Sequence, residues 1–281
     1  MRCCEKLKVR AREPNEEMEL PVKSAVRSIL SRPSTQSGFL WLLKLCHAGL
    51  NYGGGQTVAN SGEIGALRFV STPGSNSAPF VLFDVGANDG EYLSAALRTV
   101  GARMRAYSFE PQSSSFQKLR ARIGNDPRVE LKKAAVGSEI GSAELFFSLE
   151  GETTASLRRD AFTGQARSET VMLTTVDRVC EEEHVEHIDM LKIDTEGHEM
   201  NVLRGASRMI ELGRIAAIQF EFGDTFLHTP FHFCDAWEML STRYRIYRIL
   251  KHGLFEIPGY SPDLEIYKTA NFLCMRKSWN R

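Results

Sequence analysis

Asp84, Glu110, Asp194, Glu196, His198 and Glu221 share one property: each ends, or closely follows, an apolar run that predicts a β-strand. Carboxylates and an imidazole so placed can take a proton from a neutral hydroxyl while a new bond forms to its oxygen. They can also accept hydrogen bonds from the hydroxyls of a ribose. Asp194, Glu196, His198 and Glu221 are the candidates for proton transfer. Glu196 also has a plainer reading, as a carboxylate meeting the start of a helix. Glu110 ends its strand twenty residues after Gly90, the spacing at which nucleotide-binding folds place a ribose-binding acid. Its plainer reading is a carboxylate near the next helix dipole.

These groups need elements to hold them, and the stretch Phe80-Val-Leu-Phe-Asp-Val-Gly-Ala-Asn-Asp-Gly90 supplies the first. An apolar, partly β-branched run meets Asp84 and then a short loop carrying Gly86 and Gly90. Tyr92, Leu93, Ala96, Leu97 and Val100 follow at helical period, so the order is strand, turn, helix. Glycine lets the backbone turn tightly and approach a ligand closely. Asn88 or Asp89 is placed to cap the helix, whose free N–H groups face the crevice where open α/β sheets bind ligands.

The loop also bears on which nucleotide fits. A dinucleotide fingerprint needs glycine at 86, 88 and 91; this chain has Gly86, Asn88 and Glu91. The wider Asp-x-Gly-x-Asn-x-Gly turn suits a ligand with no pyrophosphate to cradle, and S-adenosylmethionine is such a ligand. A nicotinamide-dependent oxidoreductase is the first competing expectation. A catalytically silent cofactor-binding module acting through a protein partner is the second.

Three blocks carry a family resemblance. Phe83-Asp-Val-Gly-Ala-Asn-Asp-Gly-Glu-Tyr92 is followed by Phe109-Glu-Pro111 with Phe116 and Leu119. Leu191-Lys-Ile-Asp-Thr-Glu-Gly-His-Glu199 then runs into Val202-Leu-Arg-Gly-Ala206. In this order they resemble the FkbM family of S-adenosylmethionine-dependent methyltransferases, over residues 80 to 223. The resemblance implies a Rossmann-like class I methyltransferase fold. It implies that Asp84, Gly86, Ala87, Asn88 and Gly90 line the methionine end of the cofactor and that Glu110 holds its ribose. Ala135 would lie near the adenine, and Asp194 would close the site beside the amino acid moiety or the methyl group. Family members are mostly O-methyltransferases of sugars, glycan chains or polyketide hydroxyls; the acceptor itself does not carry over. Alanine at Asp84 or Glu110 is then expected to weaken cofactor binding without unfolding the protein.

The rest of the chain fits an α/β protein with a doubly wound, mostly parallel sheet, helices on both faces and an antiparallel last strand. Strands are expected at Met104 to Glu110, Val129 to Val136, Ala143 to Leu149, Thr170 to Thr174, Ile188 to Ile193, Ile215 to Phe222, Tyr244 to Ile249 and Ala270 to Met275. Helices are expected at Gln112 to Ile123, from a Thr174–Asp177 capping box to Glu183, at Glu199 to Ile210 and at Phe231 to Leu240. A polar loop holds Thr153, Thr154 and Ser156. Residues 1–37 read as a loose arm and 38–79 as a helical and Gly-rich lid or linker, with the cofactor-binding domain from 80 to 281. Phe39 to Leu50 reads as a buried helix, too short to span a bilayer and too far in for an ordinary signal peptide.

Bulk composition narrows the partners. Lys plus Arg equals Asp plus Glu at 35 each, so no global charge favours nucleic acid. A small-molecule or carbohydrate hydroxyl is the expected acceptor, with nucleic acid unfavoured and no membrane span. Arg243, Arg245, Arg248 and Lys251, interleaved with Tyr244 and Tyr247, fit a half-buried strand with one charged face better than an RNA-stacking surface. Cys180 with His184, and His228 with His232, have helical ligand spacing, but Pro230 and three glutamates argue for solvated faces, so no metal is expected. Six scattered cysteines without a CxxC pair suit a reducing compartment, and the expectation is cytoplasmic. Cys3-Cys4 beside basic residues is a weak acylation signal.

Overall fold

The computed structural model describes residues 27, 30–53, 57–58, 60–72, 78–148, 155–157, 159 and 166–278. Of the loose-arm expectation for residues 1–37, residues 1–26 (Cys3 and Cys4 included), 28 and 29 lie outside the described residues, as do Gly54, Gly55, Thr153 and Thr154, while Pro33 to Ser37 are helical rather than loose. The chain forms two compact units, Met1–Gly53 and Gly54–Arg281.

The first unit holds helix α1, Pro33–Gly49, entered through a proline at its first turn, where the missing N–H costs nothing. It is longer than the apolar run that predicted it. It is also not buried: none of its side chains is, and Phe39, Leu40, Trp41, Leu42, Leu43 and Leu45 are all exposed. That corrects the expectation of a buried helix.

The second unit is built on β1 (Phe80–Val85), α3 (Glu91–Val100), β2 (Met104–Phe109), α4 (Ser113–Ile123) and β3 (Val129–Lys132), preceded by helix α2 (Glu63–Ser71). Ala66, Leu67 and Val70 of α2 share one core with Phe80, Leu82, Tyr92 and Leu93. The stretch expected as lid or linker therefore contributes a helix to the core. Further along come β8 (Ile188–Ile193), β9 (Ile215–Phe222), α8 (Phe233–Leu240), β10 (Tyr244–Leu250), β11 (Gly253–Ile257) and β12 (Ala270–Arg276). The main sheet runs β11-β10-β12-β9-β8-β1-β2-β3. The β3, β2, β1, β8 and β9 neighbours pair parallel, whereas β12 pairs antiparallel with both β9 and β10. This is a doubly wound, mostly parallel sheet, as expected from the alternation of strands and helices. The antiparallel last strand is inserted between two others, and the β10–β11 hairpin, which the sequence reading lacked, forms the edge.

A second sheet, order β4-β7-β5-β6, covers one end of the first. It comprises β4 (Ala135–Val136), β5 (Gly141–Ser148), β6 (Ala155–Ser156) and β7 (Ala166–Thr174). The expected single strand Val129 to Val136 is thus two. Its first half pairs with β2, and its second half turns away to pair with β7.

The helices after β7 depart from the sequence in two places. Thr175, not Thr174, caps α5 (Val176–Glu182), accepting from Arg178 N at 3.1 Å. Asp177 instead accepts from Arg208 N and Met209 N at 2.9 and 3.0 Å. That starts a separate helix α7 (Ser207–Glu211) after α6 (Glu199–Gly205) and splits the expected helix Glu199 to Ile210. Gly205 sits at the break, where a Cβ would come 1.9 Å from the Gly137 carbonyl oxygen.

Candidate functional site

The site lies where the sheet order reverses, between β1 and β8 at their carboxyl ends, the usual place for a ligand in an open α/β sheet. Three loops meet there through backbone bonds. Gly86 N and Ala87 N both donate to Phe109 O at 3.0 Å, and Asp194 N donates to Val85 O at 3.0 Å. Gly86 has φ +81°, and a Cβ on it would stand 1.7 Å from the Asp194 carbonyl oxygen. Only glycine lets the β1 and β8 loops close to this distance. Gly90, at φ +84°, is the N-cap of α3. The expected cap residues act otherwise. Asp89 accepts from Glu91 N at 3.2 Å and pairs with Arg122, while Asn88 turns its N–H to Glu110.

A cleft of ≈ 700 Å³ opens over these loops. Val85, Gly86 and Asn88 line it after β1, and Phe109 to Gln112 after β2. Ala134 to Val136 line it around β4, and Asp194, Thr195, Glu196 and His198 after β8. Leu145, Ala155 and Leu157 of the second-sheet region complete the wall. Of the expected cofactor residues, Gly86, Asn88, Glu110, Ala135 and Asp194 are on this wall. Asp84, Ala87 and Gly90 are behind it, and Asp84 is fully buried, with its side chain turned into the protein. Of the proton-transfer candidates, Asp194, Glu196 and His198 reach the wall and Glu221 does not.

Glu110 bridges two loops. One carboxylate oxygen accepts from Asn88 N at 2.9 Å and the other from Gln112 N at 2.8 Å. Each oxygen keeps a further lone pair for a hydroxyl donor. Burial pushes its carboxyl up to about 7, despite the two backbone donors that favour the charge. Gln112 is a wall residue that sequence reasoning passed over. Its Oε1 accepts from Ser115, and its Nε2 has no partner among the described residues, leaving a buried donor on the cleft wall. The only signal for it was its place two residues after Glu110.

The β8 loop is wound tightly. Glu196 has φ +53° and Gly197 φ +96°. The buried Glu199 side chain spans the turn, accepting from Thr195 N at 2.9 Å and Gly197 N at 3.0 Å. Ser156 donates to the Glu196 carbonyl at 3.1 Å, tying the second sheet to the loop. Burial first, then Asp194 and Glu199, push the Glu196 carboxyl up to about 8. Burial first, then Asp194, Glu196 and Glu199, take Glu221 to about 10. His198 Nδ1 lies 3.0 Å from the Asn201 side-chain amide, which fixes the ring beside Gly137.

Beneath the wall a polar row crosses the sheet. Ser108, Asp84, Lys192 and Gln219 occupy paired positions on β2, β1, β8 and β9. Glu63 of α2 accepts from Gln219 at 2.6 Å and from Ser61 at 2.7 Å. Lys192 lies at the centre of the row.

Other candidates are used structurally. Tyr244 is buried and donates to Ile215 O at 3.0 Å, and Arg248 is buried with its guanidinium 5.5 Å from the Phe255 ring. His232 lies 2.6 Å from the Tyr267 hydroxyl, and Cys180 is buried, its thiol pushed up to about 12 by that burial. Among the described residues no group of three or more His, Cys, Asp or Glu is placed to hold a metal ion. No described helix is long and apolar enough to cross a membrane.

Comparison with known proteins bears on this geometry. The family described as the methyltransferase FkbM domain matches residues 84–248. A methyltransferase FkbM structure from Methylobacillus flagellatus is 17% identical with a TM-score of 0.45. That match covers 73% of this chain and 47% of the other, so the chain spans about half the length of that relative. An O-methyltransferase from Bacillus cereus, solved in complex with SAH, is 11% identical over 91% of this chain and 97% of its own, with a TM-score of 0.42. The 23S rRNA methyltransferase ErmE is 10% identical over 76% and 68%, with a TM-score of 0.39. No curated protein matches the chain.

Proposed function

We propose, from the premise that this chain belongs to the FkbM family of S-adenosylmethionine-dependent methyltransferases, that it methylates a hydroxyl of a sugar, glycan or other small-molecule acceptor. The observation that carries the hydroxyl reading is the pair of acids, Asp194 and Glu196, on the same wall as the ribose-holding Glu110. The residues fit the cofactor. Gly86 lets the β1 and β8 loops close against each other on the cleft wall, Glu110 presents two acceptor oxygens, and Gln112 presents a free amide donor. Gly86, Asn88 and Asp194 would hold the methionine end, Glu110 the ribose, and Ala135 with Gln112 the adenine. When bound, the cofactor supplies an activated methyl group on a positively charged sulfur.

The chain's own tasks are then positioning and proton removal. A neutral alcohol attacks poorly, so a base must take its proton as the C–O bond forms. Glu196 fits this role best. It lines the cleft, and burial holds its carboxyl near 8, where it accepts a proton readily yet still ionises close to neutral pH. Glu221, near 10 and off the wall, is protonated under the same conditions. Asp194 stays beside Lys192, and the ring of His198 is engaged by the Asn201 side-chain amide. Leu145 and Leu157, from the second-sheet region, give the cleft an apolar wall.

A cytoplasmic location is the reading that the free Cys46, Cys180, Cys234 and Cys274 support. The test of the proposal is calorimetric titration with S-adenosylhomocysteine, with NADH in parallel, followed by a labelled-methyl screen of sugars, glycans, phenols and RNA. Binding of the first ligand alone and label on an alkali-stable ether of a sugar or glycan are expected. Label on RNA, or on nitrogen, would overturn the acceptor assignment.

A further inference from the structure

Helix α1 presents an unusual surface. Phe39, Leu40, Trp41, Leu42 and Leu43 are five successive apolar residues, and Leu45 follows after Lys44. Successive helical residues advance by about 100°, so five of them reach every side of the helix. All are exposed, with Trp41 at 63% and Leu40 at 59%. A protein groove covers one side of a helix, and such helices carry a polar face opposite. An apolar girdle needs a medium that surrounds it.

The charge around the girdle has one sign. Between Leu20 and Gly62 the sequence has Lys23, Arg27, Arg32 and Lys44 and no acidic residue, although the whole chain balances at zero. The girdle is short. Phe39 to Leu45 spans about 10 Å along a helix axis, a third of the roughly 30 Å hydrocarbon core. It can enter one leaflet but not cross. Lys44, within the girdle, has a stem long enough to carry its ammonium back to the headgroups. Trp41 is the residue type that settles at the interface.

We propose that α1 docks the protein on an anionic membrane surface, its apolar girdle sunk into the outer part of one leaflet and its basic N-terminal flank, with Lys44, against acidic headgroups. This surface is independent of the acceptor assignment above, and its failure would leave that reading intact. Binding of this kind is reversible and weakens with salt.

The test is flotation of the full chain with vesicles of phosphatidylcholine mixed with phosphatidylserine, and with vesicles of phosphatidylcholine alone. The protein should float with the mixed vesicles, far less with the neutral ones, and be released by salt. A blue shift of Trp emission should accompany binding and vanish in Trp41→Phe. Leu40→Glu with Leu43→Glu should weaken flotation at least tenfold without changing the melting temperature. Arg32→Ala with Lys44→Ala, which leaves the girdle whole, should weaken it roughly 25-fold, at about fivefold per charge. Failure to float with the mixed vesicles overturns the proposal. So does flotation that survives both double variants, or self-association on light scattering that the leucine variant abolishes while no vesicle binds.

Discussion

Lys192 Nζ stands 3.5 Å from Asp84 Oδ1 and 3.2 Å from Asp194 Oδ2, with the Tyr92 ring 4.9 Å away, and both Lys192 and Asp84 are buried. Burial opposes the charge on the lysine, but Asp194 and Asp84 outweigh it and hold the ammonium above its usual range. Burial raises the Asp84 carboxyl, with Lys192 pulling the other way. The pair is a strut behind the cofactor wall, which changes what a substitution at Asp84 does. Breaking a buried pair from one side strands the other charge, at a cost of about 3–5 kcal/mol. Lys192→Met and Asp84→Ala are therefore expected to lower stability by about that much, rather than to spare the fold. The Lys192→Met/Asp84→Ala double variant should be less destabilised than the sum of the two single variants. Denaturant unfolding of the four proteins reads this directly, and strict additivity would show that the two groups do not act as a pair.

Gly86 and Gly65 separate close approach from backbone freedom. At Gly86 a Cβ meets the Asp194 carbonyl oxygen at 1.7 Å and the backbone is left-handed, whereas at Gly65, inside α2, nothing lies within 4 Å. Gly86→Ala should push the β1 and β8 loops apart, cost several kcal/mol and abolish binding of S-adenosylhomocysteine. Gly65→Ala should stabilise by about 0.5–1 kcal/mol, since alanine replaces glycine in a helix interior. Thermal melting and calorimetry on both variants test it. A Gly86→Ala protein that binds normally would mean the loop relaxes without consequence.

The pH dependence of cofactor binding follows from Glu110. Its carboxyl is raised from 4.5 to about 7 in the folded protein, so it holds a proton that the unfolded chain releases. Between those values the folded state binds more protons, and stability falls as pH rises; above about 7 both states are ionised and the loss is complete. Ribose hydroxyls donate most strongly to the ionised form, so affinity moves the other way. The Kd for S-adenosylhomocysteine should fall as pH rises toward 7 and level off above it. Glu110→Gln should bind more weakly and lose that slope. Equal pH profiles in the two proteins would take the ribose away from Glu110.

Much of this site could be read from the chain because its parts are local. The run from Phe80 to Gly90, Glu110 at a strand end, and the block from Lys192 to Glu199 each fold through near neighbours, so period and turn residues sufficed. What could not be read depends on distant partners. Lys192 looks like an interruption in an apolar strand until Asp84 is set beside it by the β1–β8 register. Glu63 meets Gln219 across the core, and Asp177 leaves its own helix to start another at Ser207. Val129 to Val136 splits because its second half finds β7. Nothing within any of those segments signals the partner. Helix α1 misled for the opposite reason: an apolar run normally implies burial, and here the structure leaves it bare.

Glu196 combines backbone strain with a displaced titration, and the two give opposite responses to substitution. A non-glycine residue at φ +53° costs roughly 1–2 kcal/mol in left-handed conformation. Its carboxyl, raised from 4.5 to about 8, adds a destabilisation that grows as pH rises between those values. Glu196→Gly removes both and should melt higher than the parent, by more at pH 9 than at pH 5. Glu196→Gln removes only the titration, so its advantage should grow with pH from about 4.5 and level off above about 8. Both variants should bind S-adenosylhomocysteine as the parent does, because Glu110 and the Gly86 loop are untouched. Methyl transfer should nevertheless fall about 10²–10⁴-fold in each, the usual contribution of a positioned base. In the parent, the rate should climb with pH through about 8 as Glu196 ionises, and neither variant should show that rise. Full turnover in Glu196→Gln would pass the proton to Asp194 or His198, which share the wall.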